Sequence, residues 1–143
     1  MMITARQLIG TWRLVSWDRI DDSGRRPGPF GPDATGLITY TADGFMFGTL
    51  MAPGRTPFVG ADPFGGTAEE SRQALSSCLS YCGRYRVEDD SVVHTVEMSA
   101  FPNWTGEDQR RFVRFDGDRV VLRTPPIVRN GVSGVAELVW RRA

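Results

Sequence analysis

Short runs of period-two alternation, each closed by a tight-turn signal, recur along most of the chain and limit what it can fold into. In Thr11–Ile20, Trp12, Leu14 and Ser16 fall on one face and Arg13, Val15 and Trp17 on the other. The runs Leu37–Thr41 and Phe45–Met51 flank Ala42-Asp43-Gly44, where Gly44 supplies the positive φ of a three-residue hairpin loop. Further strands are expected at Tyr81–Glu88, Ser91–Ser99, Asp108–Phe115, Arg119–Thr124 and about Gly134–Arg141. Asp21–Thr35 and Ala52–Gly66 hold so many breakers that they read as loops. One helical turn is expected at Thr4–Leu8. A second helix opens on the capping box Thr67-Ala68-Glu69-Glu70 and runs to about Leu79, with Ala74, Leu75, Cys78 and Leu79 as a stripe packed on the wall behind it. This pattern predicts an all-β, closed antiparallel barrel of eight strands (eight to ten by strict assignment), with one short helix inserted before the Tyr81 strand.

Residues 1–143 are expected to form one domain, long enough to bury a core without staples. Seventeen basic residues balance 17 acidic ones, which removes the footprint of a nucleic-acid partner. Every basic residue is arginine, so lysine Schiff-base chemistry and a phosphate-binding P-loop are excluded. No window has the length or hydropathy of a signal peptide or a membrane span. Cys78 and Cys82 read as reduced thiols, and no ligand spacing suggests a metal site. The expectation is a cytoplasmic protein with neither metal nor cofactor and no membrane partner. A homodimer is compatible with a barrel of this size.

Two hairpins can be put in register. A two-residue turn at Asp89-Asp90 sets Val87 against Val92, Tyr85 against His94, Gly83 against Val96 and Tyr81 against Met98. A turn at Asp116-Gly117 sets Val113 against Val120, Arg111 against Leu122 and Gln109 against Thr124. The alternative faces carry too many arginines to bury. Tyr81, Tyr85, His94, Gln109 and Arg111 therefore point inward among Val, Leu, Met and Phe. Such an interior suits a ligand pocket, with apolar walls and a few convergent polar groups. A structural network across the barrel, with Arg111 held by Glu137 or Asp18, is the other reading.

Gly10-Thr11-Trp12 resembles the opening motif of lipocalins, and Arg141 or Arg142 stands where that fold packs an arginine over the tryptophan. Tyr40…Asp43-Gly44-Phe45-Met46, Tyr81-Cys82-Gly83-Arg84-Tyr85 and the stretch His94 to Gly106, followed by Gln109 and Arg111, are similar to the bacterial lipocalin-like domain family of small stand-alone proteins. The resemblance covers nearly the whole chain and implies a closed barrel around a cavity. Related small barrels in natural-product pathways include cofactor-free cyclases.

His94 is the only histidine and the only side chain whose ordinary pKa lies near neutrality. With Tyr85 as its acid partner and Arg111 stabilising developing negative charge, the expected catalytic set is His94, Tyr85 and Arg111. Tyr81, Gln109, Tyr40, Met46, Met98, Trp104 and Leu122 are the expected substrate contacts. Glu97 reaches inward only through a bulge, and Trp104 or the capped helix is the candidate lid. The expected function is cofactor-free cyclisation or isomerisation of a small, largely apolar, carbonyl-bearing molecule in specialised metabolism. A non-catalytic carrier with the same pocket is the alternative.

Overall fold

The structure, a computed structural model, describes residues 2–143. In chain order the elements are α1 (Ala5–Leu8), β1 (Gly10–Asp21), β2 (Gly24–Pro27), β3 (Thr35–Tyr40), β4 (Phe45–Met51), α2 (Ala68–Ser76), β5 (Cys78–Glu88), β6 (Ser91–Ser99), β7 (Asp108–Asp116), β8 (Arg119–Arg123), β9 (Ile127–Arg129) and β10 (Val132–Arg142). Eight strands run β1-β3-β4-β5-β6-β7-β8-β10, and pairing of β10 back onto β1 closes the barrel. Closure leaves the wall without a free edge. The two remaining strands are short flanges: β2 folds back on Asp18–Asp21 of β1, and β9 lies along Val132–Gly134 of β10. Neither is legible as a strand, because Gly24-Arg25-Arg26-Pro27 is wholly exposed and Ile127–Arg129 follows two prolines.

One end of the barrel is sealed. Leu8 at the end of α1 is fully buried, and its carbonyl accepts a 2.8 Å bond from Trp12 Nε1. The Arg142 guanidinium lies 3.9 Å over the Trp12 ring and donates to the Ile9 and Gln7 carbonyls. Of the two expected arginines, Arg142 is therefore the one that clamps the tryptophan. Val92, Val120 and Trp140 complete this floor.

Two bulges change which side chains face inward. In β1 the register against β10 slips between Leu14 and Ser16. Trp12 and Leu14 face the core below the slip, and Trp17 and Arg19, not Ser16, face it above. The expected uninterrupted alternation therefore fails at this point. In β6 the register slips opposite Cys82 and Gly83, so Cys82 rather than Tyr81 lies across from Met98. Glu97 and Met98 both end on the outer surface, with Met98 65% exposed. Gly83 is required there, since a Cβ would stand 2.0 Å from the Thr95 carbonyl oxygen.

The β7–β8 turn lies one residue later than expected, so Val113 pairs with Leu122 and Phe115 with Val120. This is a slip of two residues. An even slip leaves every side chain on its expected face. α2 keeps the expected capping box, with Thr67 Oγ1 accepting from the Glu70 amide at 3.1 Å and Glu70 Oε1 accepting from the Thr67 amide at 2.9 Å. The helix stops at Ser76 and buries no residue. Cys78 and Leu79 belong to β5, so the expected wall-packing stripe does not form.

Candidate functional site

Above the floor the barrel holds a cavity of about 640 Å³, lined on the β1 side by Trp17 and Arg19. Ile38, Leu50, Leu79, Leu122 and Leu138 form its apolar wall. Its mouth is framed by Trp17, Phe30, Leu75, Phe101, Trp104 and Ile127. Trp17 meets Phe30 edge-on at 5.1 Å, and Trp104 meets Tyr81 and Phe101 edge-on at 5.7 and 5.6 Å. Trp104 is thus part of the rim, carried by the single helical turn Pro102–Trp104 between β6 and β7.

The polar group sits on the β5–β6–β7 wall. His94 is fully buried, with Nε2 2.7 Å from Tyr40 Oη and Nδ1 2.6 Å from Tyr81 Oη. Among the described residues Tyr40 Oη has no other partner, so its proton is satisfied only by donation to Nε2. That assignment puts the imidazole proton on Nδ1, where it is donated to Tyr81 Oη. The Tyr81 proton is then left without a protein acceptor, on a residue that lines the cavity. Burial, reinforced by the nearby Arg111 charge, pushes the His94 pKa down to about 3. Burial likewise raises both hydroxyls, Tyr40 well above its ordinary value. The triad is neutral and donates toward the cavity.

Tyr85 is the expected partner that does not join. It lies across from His94 in the ladder, but its hydroxyl donates to the Thr41 carbonyl at 2.7 Å, and its ring packs edge-on against Tyr40 at 4.9 Å. The expected His94–Tyr85 pair is replaced by Tyr40–His94–Tyr81, because a tyrosine hydroxyl reaches well past its directly opposed neighbour.

Arg111 lines the cavity from β7. Its guanidinium donates to the Arg110 carbonyl at 2.8 Å and to Gln109 Oε1 at 3.4 Å. Among the described residues it has no ion pair. Glu137 is held by Arg25 at 2.9 Å and Arg123 at 2.7 Å, and Asp18 by Arg25 at 3.0 Å. The alternative network of Arg111 with Glu137 or Asp18 therefore does not form.

Of the expected contacts, Tyr81, Gln109, Trp104 and Leu122 line the cavity together with His94 and Arg111. Tyr40 and Met46 are buried behind the lining, and Met98 lies outside the barrel. Trp17, Arg19 and Trp140 line the cavity without having been expected. The first two are hidden by the β1 bulge, whereas Trp140 is readable from its alternation with Leu138 and Ala136. Trp140 Nε1 is buried without a hydrogen-bond partner, as is Arg19 Nε, 3.5 Å from Asp21. Arg19 Nη2 donates to the carbonyls of Ile127 in β9 and Val132 in β10, tying that hairpin to β1 beside the cavity. No three His, Cys, Asp or Glu side chains converge among the described residues, and no helix there is long and apolar enough to cross a membrane.

A family profile described as a lipocalin-like domain matches residues 9–143. The chain is 37% identical over 106 residues to the 4'-hydroxy-3'-methoxypropiophenone carrier protein of Aspergillus oryzae, an alignment covering 68% of this chain and 96% of that one. No solved structure gives a significant match.

Proposed function

The chain belongs to the lipocalin-like domain family, and from that premise we propose that it binds and carries one small, largely apolar, carbonyl-bearing organic molecule in specialised metabolism. The observation that carries this reading is the undonated Tyr81 proton beside an Arg111 without a carboxylate, in a cavity otherwise walled by Leu and Ile. A ligand oxygen placed there completes both groups, and leaving them unmet in an apolar site costs free energy. The cavity volume falls in the ordinary range for small-molecule sites. The similar fungal protein is named for carrying an aryl ketone. Free Cys78 and Cys82 suit a reducing cytoplasm.

Calorimetric titration with an aryl alkyl ketone, alongside the alkylbenzene lacking the carbonyl, tests the reading. The ketone should bind about tenfold tighter, and Tyr81→Phe should erase most of that difference. Equal binding of the two would defeat the carbonyl assignment.

A second reading is cofactor-free cyclisation or isomerisation. It is favoured by Tyr81, which touches both the cavity and His94, and by Arg111 beside it. In that reaction solvent hydroxide at the open mouth would take the proton from the carbon next to the carbonyl and water would later return one, while Tyr81 and Arg111 stabilise the intervening enolate oxygen by donating to it. Direct abstraction by His94 is disfavoured, since both ring nitrogens are engaged and its pKa lies far below neutrality. Deuterium exchange at the carbon next to the ketone, accelerated by the protein and lost in Tyr81→Phe, would mark catalysis.

A further inference from the structure

Among the described residues, the strongest polar groups that the inner cavity leaves open are donors. Tyr81 Oη has a proton with no protein acceptor among the described residues. Gln109 spends its oxygen on Arg111, which leaves its amide nitrogen facing outward from that bond. Arg111 holds only neutral acceptors. The threonine hydroxyls of the lining each have a protein partner, Thr124 Oγ1 accepting from the Ala136 amide and Thr49 bonded to the Ser80 hydroxyl.

The charge count around the same space leans one way. Arg110 is neutralised by Glu88, and Arg19 faces Asp21. Asp108, the one carboxylate of the lining, is held at the rim by Arg86 and Thr95. Arg129 stands at the mouth without an ion pair among the described residues, as Arg111 does inside. A cation held in low dielectric without a counter-charge is costly, and an anion brought to it is correspondingly favoured.

We infer that the cavity selects its ligand in the ionised form: an acidic carbonyl compound bound as a phenolate or enolate, with the anionic oxygen against Arg111 and a second oxygen within reach of the Tyr81 donor. This rests on the carrier reading and narrows it to a class in which the carbonyl acidifies the group that ionises, as in para-acyl phenols and 1,3-dicarbonyls. The neutral His94 supports the assignment, because the charge that meets the ligand is then arginine's alone.

The probe is 4-hydroxyacetophenone, whose phenolate absorbs at longer wavelength than its phenol, with its O-methyl ether as the form that cannot ionise. With protein in excess, the pH titration of the bound phenol should shift downward by about one pH unit or more, a preference of about tenfold for the anion. The ether should bind at least about tenfold more weakly at pH 8. Arg111→Gln should abolish the shift while Arg114→Gln, on the outer face of the same strand, keeps it. The wild-type titration decides the question even if Arg111→Gln does not fold. A bound phenol whose pKa is unchanged or raised overturns the inference and leaves the carrier reading standing. Failure of both probes to bind overturns the two together.

Discussion

Tyr81 Oη lies 2.6 Å from His94 Nδ1, and Tyr40 Oη closes the other side of the ring at 2.7 Å. The imidazole is thereby fixed as a neutral Nδ1–H tautomer, with Nε2 accepting. Nitrogen-15 NMR of the single histidine should show that tautomer at pH 7. Tyr40→Phe should leave Nε2 unsatisfied, cost about 1–3 kcal/mol in urea unfolding and allow the tautomer to change. Persistence of both the stability and the tautomer would remove Tyr40 from the triad.

The same histidine sets an acid limit on the fold. Its pKa is about 3 when folded, against about 6.5 in the unfolded chain. Between these values the unfolded state binds the extra proton, so stability rises with pH. It is fully present above the unfolded value and is lost as pH falls toward the folded one. Urea midpoints should drop steadily from pH 7 to pH 5, a range in which no other side chain has its ordinary pKa. His94→Gln should flatten that slope, whatever it costs at pH 7.

Gly83 has no room for a methyl group, since the Thr95 carbonyl oxygen would be 2.0 Å from its Cβ. Gly83→Ala should destabilise by about 3 kcal/mol or more, at the upper end of single substitutions. Thermal unfolding measures it, and a loss below about 1 kcal/mol would mean that the bulge opposite relaxes freely.

Arg142 joins three things at the sealed end: the Trp12 ring and the carbonyls of Gln7 and Ile9. Arg142→Ala should cost about 2 kcal/mol, and Arg142→Lys should recover only part, because one ammonium cannot serve two carbonyls and a ring face together. Ligand affinity should be unchanged, since none of these residues lines the cavity.

Arg19 donates to Val132 at the start of β10 and holds β9 by donating to Ile127. Arg19→Met should release that strand from the mouth and raise the ligand dissociation rate about tenfold more than it changes stopped-flow association. An unchanged dissociation rate would mean that β9 does not gate the cavity.

Closure, strand order and the inward group Tyr81, His94, Gln109 and Arg111 were legible because alternation and turn chemistry are local properties. Even the misplaced β7–β8 turn was harmless to the face assignment, since it slipped by two. What escaped was every odd slip. A bulge leaves no mark in composition, so Trp17 and Arg19 were assigned to the wrong side or overlooked, and Met98 was placed inside. The true partners of His94 were also beyond reach. Ladder pairing brings Tyr85 beside it, but Tyr40 arrives from β3, with two strands between it and β6, and no pairing rule measures how far a phenol extends.

The bulge in β1 has a consequence for how such a protein diverges. Below it the strand serves the seal, through Trp12 and Leu14; above it the same strand furnishes the doorway, through Trp17 and Arg19. The interruption uncouples the phase of one half from the phase of the other. Insertions or deletions beyond Ser16 can rotate the doorway residues against an unchanged plug, so a new cargo can be admitted without rebuilding the foundation that lets the barrel stand.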